Sequence, residues 1–210
     1  MRLLAILLLS LLSLQAGADD WQLRREDSAR NIRVYLRDRA GSPYDEVYAA
    51  TRLPASVRQV EAVLGDFQAM PEWAPHLIAA RLLRQQGNQA WIHVRYHLPY
   101  PFRQRDVVIR SRRSENEEGV VNIHSEAVPG QVAASANSIR LQHLQNTWRI
   151  TPLPGEEVKI EFWATAEPGG LVPAVLFNYN LAEDSLQSLR QLRRMLQRPK
   201  YQDHRSATAR

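Results

Sequence analysis

The segment from residue 173 to residue 197, PAVLFNYNLAEDSLQSLRQLRRMLQ, carries the longest helical pattern in the chain. Its apolar side chains recur at steps of three and four residues, with an interruption at Arg193, which is the spacing of one helix face. Pro173 suits the first turn of a helix. The pattern predicts an amphipathic helix of about six turns. Its apolar stripe comprises Val175, Tyr179, Ala182, Leu186, Leu189 and Leu196.

The chain before this helix is dominated by strand patterns. In residues 91–98, WIHVRYHL, one mostly apolar face alternates with one mostly polar face. Ser56 followed by Gln59 forms a capping box, which predicts a short helix that Gly65 ends. Together these patterns predict an α+β fold in which a curved antiparallel sheet of about nine strands wraps around the long C-terminal helix. The other candidate strands are 21–25, 32–37, 44–52, 80–86, 106–112, 120–126, 139–150 and 157–166.

The first residues have the layout of a secretory signal peptide. Arg2 precedes an apolar run over residues 3–14, and the small residues Ala16, Gly17 and Ala18 follow it. The run is shorter than the roughly 20 apolar residues that span a bilayer. We therefore expect residues 1–18 to be removed near Ala18-Asp19 and the protein to be periplasmic or secreted; the alternative is an uncleaved N-terminal anchor. The chain has no cysteine, so it has no disulfides or thiolate ligands.

The chain is basic, with 27 Lys and Arg residues against 22 Asp and Glu residues. Much of the excess lies late in the sequence, from Arg190 onward. One interpretation is a solvated helix face with a frayed end; the other is a weak attraction to anionic lipid headgroups. We expect one domain over residues 19–197 and a basic, disordered tail over residues 198–210. Nucleic acid is not an expected partner, because an exported protein rarely meets it.

A proline-rich stretch, HLPYPFRQRDVVIRS, spans residues 97–111. Pro99 and Pro101 fix the backbone φ angle and remove two hydrogen-bond donors, which keeps this loop out of a sheet. Apolar side chains held on such a loop commonly mark a contact with a ligand or a membrane. The alternative is a tight loop whose rings fold back on the core. The side chains expected at the mouth of an apolar cavity are Leu98, Tyr100 and Phe102.

Arg105 and Asp106 are neighbours on the strand that follows this loop, so their side chains are expected on opposite faces. The alternation that sends Val107 and Ile109 inward sends Arg105 inward as well. One interpretation is a structural ion pair with a loop carboxylate such as Glu72. The other is a contact with a ligand headgroup, because a guanidinium can bind phosphate through two hydrogen bonds.

Four segments resemble the START (StAR-related lipid-transfer) domain in their order and spacing. They are PEWAPHL, LPYPFRQRDVVI, TWRITPLPGEEVKIEF and EPGGLVPAVLFN, and the resemblance covers residues 21–196. It implies a helix-grip fold around a tunnel that holds one lipid or other apolar molecule. It also implies a lid made by the C-terminal helix and the loop before the Arg-Asp strand. Some members pair a cavity arginine with an acidic residue on the adjacent strand. Here that strand offers Ile92, Val94 and Tyr96, so sterol-type recognition is not carried over.

These considerations give a candidate ligand-binding set. Ala182 stands out on the last helix because a small residue in the stripe leaves room where leucine would fill it. Each apolar member could equally be ordinary core. The set is Tyr96, Leu98, Tyr100, Phe102, Arg105, Val107, Ile109, Leu141, Ile160, Phe162, Val175, Tyr179, Ala182 and Leu186.

No chemical motif stands out in the sequence. His93 and His97 share a strand face but are about 13 Å apart, too far to share one metal ion. No nucleophile elbow or phosphate-binding loop is present. We therefore predict no metal, no cofactor and no catalytic residue. The expected function is to bind a lipid or other hydrophobic small molecule in an internal tunnel and to carry it across the periplasm, as a monomer that touches the membrane transiently. The alternatives are an enzyme of the cyclase or hydrolase type using the same cavity, and a ligand-sensing interaction module.

Overall fold

The computed structural model of the protein describes residues 21–202. The predicted signal peptide, its cleavage site and the last part of the predicted tail, residues 203–210, lie outside this range. Among the described residues, no helix combines the length and the apolar character needed to cross a membrane.

Ten strands form one open sheet within the described range. Their order is β1-β2-β3-β10-β9-β7-β6-β5-β4, and β8 pairs with β6 beside this path. Neighbours are antiparallel except β6 and β8, which are parallel. The strands are β1 Gln22–Asp27, β2 Ile32–Arg37, β3 Glu46–Pro54, β4 Leu77–Gln86, β5 Gln89–Tyr96, β6 Gln104–Glu115, β7 Val121–Ala127, β8 Ser138–Arg140, β9 Leu144–Leu153 and β10 Glu157–Ala166. The helices are α1 Val57–Leu64, α2 Ala174–Leu196 and α3 Pro199–Gln202.

The strand predicted over residues 139–150 is two strands in the structure. The first strand ends at Arg140 and the second begins at Leu144. Between them, the backbone N–H of Leu141 donates to the carbonyl of Asp106. β8 pairs with the first part of β6, whereas β7 pairs with the rest of it. The sequence pattern does not show this exchange of partners, because both pieces alternate as strands do.

α1 begins as its capping box predicts. The Ser56 hydroxyl accepts from the backbone N–H of Gln59 at 3.2 Å, and the Gln59 side chain accepts from the backbone N–H of Ser56 at 2.8 Å. The reciprocal bonds satisfy two of the donors that a helix start leaves free. Gly65 caps the other end, and Val60 and Val63 are fully buried against the core.

α2 lies across the inner face of β1, β2 and β3 and also contacts α1. Leu186, Leu189 and Leu192 on this helix are buried, and a solid apolar core forms where they meet the sheet. A second apolar cluster lies farther along the same sheet face, on β4, β5 and β6. The space between the two clusters is not filled by side chains, and it forms the cavity described below.

The predicted disordered tail begins too early. Residues 199–202 form α3, and Tyr201 is 3% exposed. The Tyr201 hydroxyl donates to Asp66 at 2.9 Å, and the Gln59 side chain donates to the Tyr201 carbonyl at 3.1 Å. The folded domain therefore extends at least to Gln202. Tyr201 is the only buried residue of α3, and one buried residue gives no periodic signal.

The late cations of the described chain contact the domain itself. Arg190 pairs with Asp27 at 2.7 Å, and Arg198 pairs with Glu72 at 2.5 Å. Lys200 donates to Asp66 at 2.6 Å. These contacts fasten the end of α2 and α3 to the rest of the fold, which gives the basic residues a structural role.

Candidate functional site

A cavity of about 660 Å³ lies between the sheet and α2. Its walls come from the inner faces of β4, β5, β6, β7, β9 and β10, from the cavity side of α2, and from the segment of residues 64–77. The volume falls within the range of sites that bind small organic molecules. Most of the wall is apolar, so water gains little by occupying it.

β5 shows how the sequence builds this wall. Ala90, Ile92, Val94 and Tyr96 alternate with outward residues, and all four line the cavity. Burial raises the pKa of Tyr96 to about 12, so its phenol is neutral at physiological pH. This is the apolar face that the pattern of residues 91–98 predicts.

Two loops meet at one end of the cavity, and we call residues 98–102 and 168–172 together the lip. Leu98 and Phe102 line the cavity, as expected for a loop at its mouth. Tyr100 does not line it, because its side chain points to solvent and is 96% exposed. Leu171, on the opposite side of the lip, is 95% exposed. The lip therefore presents apolar groups both inward and outward.

Arg105 binds the second half of the lip, residues 168–172, to the start of β6. Its Nε donates to the carbonyl of Pro168 at 2.5 Å and its Nη2 to the carbonyl of Gly169 at 2.9 Å. The residue lines the cavity but is only 3% exposed, and burial lowers its pKa. The expected ion pair with Glu72 is wrong: Glu72 pairs with Arg198, and backbone carbonyls bind the guanidinium.

Glycine at residues 169 and 170 allows this close approach. Both residues have φ near +63°, which side chains other than glycine adopt at a cost. A Cβ on Gly170 would lie 3.0 Å from Ile139 Cδ1 and 3.5 Å from Arg105 Nη2. The two glycines therefore let the backbone turn its carbonyl groups toward the arginine.

Asp106 points away from the cavity, as strand alternation predicts. It accepts hydrogen bonds from Arg140 Nη2 at 2.8 Å and from the Ser135 backbone N–H at 2.9 Å, and it lies 2.9 Å from His93 Nε2. Burial alone would raise the pKa of Asp106, but the bonds from Arg140, His93 and Ser135 hold it well below its usual range. This network fixes the loop before β8 to the outer face of β6.

α2 presents a different face to the cavity from the one that the sequence predicts. Val175 is 85% exposed and Tyr179 is 62% exposed, and neither lines the cavity. Ala182 and Leu186 are buried in the solid core instead. The four assignments on this helix are therefore wrong as cavity positions. The cavity-lining residues of α2 are Leu176, Phe177, Asn180, Leu181, Asp184, Ser185 and Ser188.

The reason is that α2 has two inward faces. The apolar stripe packs on β1–β3, whereas residues such as Phe177, Leu181 and Asp184 lie about half a turn away and face the hollow part of the molecule. At the start of the helix the stripe extends beyond the core, so its first residues are exposed. There the Arg25 guanidinium lies 5.0 Å from the centroid of the Tyr179 ring.

The sheet residues of the candidate set divide between cavity and core. Val107 and Ile160 are fully buried in the two apolar clusters and do not line the cavity, so these two assignments are wrong as cavity positions. Seven of the candidate residues line the cavity together, namely Tyr96, Leu98, Phe102, Arg105, Ile109, Leu141 and Phe162.

Several wall residues lie outside the candidate set. Trp73 and Trp148 meet edge to face with ring centroids 6.0 Å apart, and both line the cavity. The segment of residues 64–77, which we call the covering segment, is connected to α2 by His76 and Asp184. Both residues line the cavity, and His76 Nε2 lies 3.2 Å from Asp184 Oδ1. The hydrogen bond to Asp184 raises the pKa of His76. Trp73 belongs to PEWAPHL, one of the segments that resemble the START domain, and that resemblance could have placed it in the set; nothing in the sequence pairs His76 with Asp184.

Comparison with known proteins identifies relatives of the whole fold. Residues 53–193 match the family described as polyketide cyclase / dehydrase and lipid transport. An uncharacterized protein of Pseudomonas aeruginosa is 29% identical over 178 residues, which cover 85% of this chain and 87% of the relative.

Two solved structures show the same architecture. A STAR-related lipid transfer protein from Xanthomonas axonopodis is 28% identical, with a TM-score of 0.79 over 86% of this chain and 100% of that one. Human STARD10 is 14% identical, with a TM-score of 0.76 over 89% of this chain and 76% of that one, a likeness of fold. The predicted START-like helix-grip fold is confirmed, and it supports the binding of a hydrophobic ligand. The chain belongs to the polyketide cyclase / dehydrase and lipid transport family.

Proposed function

We propose that the protein binds a lipid or other apolar molecule in its cavity and carries it across the periplasm. The observation that carries this proposal is the cavity of about 660 Å³ with a mostly apolar wall, inside a START-like fold. The export pattern of residues 1–18 and the absence of cysteine support the periplasm as its location.

The energy of burial supports carriage through water. Each methylene removed from water contributes about 0.8 kcal/mol, so an acyl chain of roughly a dozen methylenes gains on the order of 10 kcal/mol. The same chain exchanges between the cavity and a membrane at little net cost, because both surroundings are apolar. Uptake and release are then controlled by access to the cavity.

The lip and the first turn of α2 form the proposed entrance. Tyr100, Leu171 and Val175 expose apolar surface there, which fits a transient contact with a membrane. Arg198 lies just beyond the other end of α2, about 35 Å away at 1.5 Å per residue. Contact through the lip therefore depends on apolar groups rather than on these late cations.

Transfer of a fluorescent lipid between donor and acceptor vesicles tests this proposal. The wild-type protein is expected to speed transfer in proportion to its concentration. The double variant Tyr100→Ser, Leu171→Ser is expected to slow transfer at least about fivefold, because it removes apolar groups that would enter the bilayer. Leu23→Ser is the matched control, since Leu23 is a 50% exposed leucine on β1 that is not part of the lip.

Two results would contradict the proposal. A protein that binds the lipid without speeding its transfer would be a sensor rather than a carrier. A lipid recovered with altered mass would identify an enzyme that uses the same cavity. If the double variant transfers lipid as fast as Leu23→Ser, the lip is not the entrance.

A further inference from the structure

Three polar side chains form a row across the otherwise apolar sheet wall of the cavity. Ser111 on β6 lies opposite Ser125 on β7, and Ser125 lies opposite Asn146 on β9. All three line the cavity. We call them the polar row. They come from three different strands, so their alignment follows from the sheet register and is not visible in the sequence.

Alanines flank the row on both sides. Ala90 pairs with Ser111 on β5, and Ala164 pairs with Asn146 on β10; both line the cavity. Short side chains at these positions leave space beside the polar groups. The same register therefore provides both hydrogen-bonding groups and room for a ligand group to reach them.

The hydrogen bonds of the row are incomplete. The Ser125 hydroxyl donates to the Ser111 hydroxyl at 3.1 Å. Asn146 Oδ1 is buried and has no hydrogen-bond partner among residues 21–202. Trp73 Nε1, on the covering segment that also lines the cavity, is likewise buried without a partner in the described chain. A buried acceptor or donor without a partner is costly, so these two atoms favour a guest that supplies one.

The chemistry of the row specifies the guest's polar group. Asn146 Oδ1 can only accept, so it needs a donor from the guest. The Ser111 hydroxyl, in the same row, can donate, so the guest's polar group also gains by accepting there. A hydroxyl or an amide N–H beside its carbonyl does both, whereas an ether, an ester or a hydrocarbon cannot donate.

The guest's polar group is also expected to be uncharged. The row itself carries no charge. Arg113 and Glu61 also line the cavity, but they pair with each other, with Arg113 Nη2 and Glu61 Oε2 3.1 Å apart. A guest charge placed at the row would lose its hydration without gaining an ionic partner there.

We propose that the polar row is a subsite that selects guests with a hydroxyl or amide group over guests that cannot donate a hydrogen bond. The proposal rests on the proposed function, because it assumes that the cavity holds an apolar chain. Beyond the proposed function, it states which chemical class of ligand the cavity prefers and which residues determine that preference.

Competition binding with two matched probes tests this subsite. Dodecanol and dodecyl methyl ether have the same chain, but only the alcohol donates a hydrogen bond. Each displaces a fluorescent fatty probe from the wild-type protein, and the alcohol is expected to bind about tenfold more tightly. Asn146→Leu, of similar size and without the acceptor, is expected to reduce this preference to about twofold or less while still binding the ether. Leu144→Met, two residues away on the same face, is the control and is expected to keep the preference.

The outcomes separate the subsite from the proposed function. If the wild-type protein binds neither probe, the proposed function fails. If it binds both equally, the cavity holds chains but the polar row does not select them. A preference retained in Asn146→Leu also overturns the subsite. Should Asn146→Leu fail to fold by circular dichroism, Ser111→Ala with Ser125→Ala replaces it, and an unchanged preference there contradicts the proposal.

Discussion

Replacing Ala164 with phenylalanine tests whether the space in front of β10 is empty. Ala164 lines the cavity, and its side chain lies on the same sheet face as Phe162. In a hollow interior the new ring enters free space, so the free energy of unfolding should rise by up to about 1 kcal/mol. In a filled interior the same ring would overpack its neighbours and cost about 1–3 kcal/mol.

The same substitution should weaken ligand binding by a calculable amount. The added ring occupies the space of roughly four methylenes of a guest, at about 0.8 kcal/mol each. The loss of about 3 kcal/mol corresponds to a roughly hundredfold increase in Kd. Chain-length dependence provides a check, because a guest shorter by about four methylenes should bind the variant and the wild-type protein equally well.

Ala49→Phe is the matched control. Ala49 is fully buried in the solid core on β3 and lies opposite Phe162 of β10. We expect this variant to lose about 1–3 kcal/mol in urea unfolding. If Ala164→Phe is destabilised as much as Ala49→Phe and leaves the Kd of a long-chain guest unchanged, the interior is filled and the reasoning is refuted.

Three further predictions concern the rest of the molecule. Asp106→Asn should lower the free energy of unfolding by about 3–5 kcal/mol in urea, because it leaves the largely buried Arg140 without its carboxylate. His76 has a raised pKa, so its bond to Asp184 stabilises the fold fully below pH 6.5, and the stabilisation is lost as pH rises through the raised value. Thermal unfolding followed against pH should therefore show this decline in the wild-type protein and not in His76→Gln. N-terminal sequencing of the exported protein should begin at Asp19.

Each of these predictions has a control and a result that would contradict it. Glu126→Gln, in a pair with Arg110 that is partly exposed, should cost less than about 1 kcal/mol. If Asp106→Asn lowered the free energy of unfolding by no more than Glu126→Gln does, the buried network around Asp106 would add no stability. Asp184→Asn should remove the same pH dependence as His76→Gln, so two variants that behave differently would exclude the pair as its source. An intact N-terminus on the exported protein would identify an uncleaved anchor.

The regular elements could be predicted because their patterns are local. The predicted bounds of β2 and β10 match the structure to the residue. In β2 buried residues alternate with more exposed ones along the whole strand, as a half-buried strand requires. The capping box of Ser56 and Gln59 likewise placed the start of α1. Where the pairing partner changes within one alternating pattern, as between β8 and β9, the pattern predicts one strand and the structure has two.

The cavity was harder to predict because it is defined by space that side chains do not fill. An apolar stripe marks the face that packs in solid core, so it led to Ala182 and Leu186 rather than to Phe177 and Asp184. The wall of a cavity can carry polar groups that a core would not. Asn146, with neighbours on other strands, therefore had no signal in the sequence.

The most direct measurement is the mass of the protein with whatever it holds. The protein is purified from its own host and weighed by native mass spectrometry, then weighed again after denaturation. We expect the native mass to exceed the denatured mass by that of one lipid-sized molecule. Equal masses, together with no mass gained after incubation with lipid extracted from the same host, would contradict the central claim that the cavity holds an apolar guest.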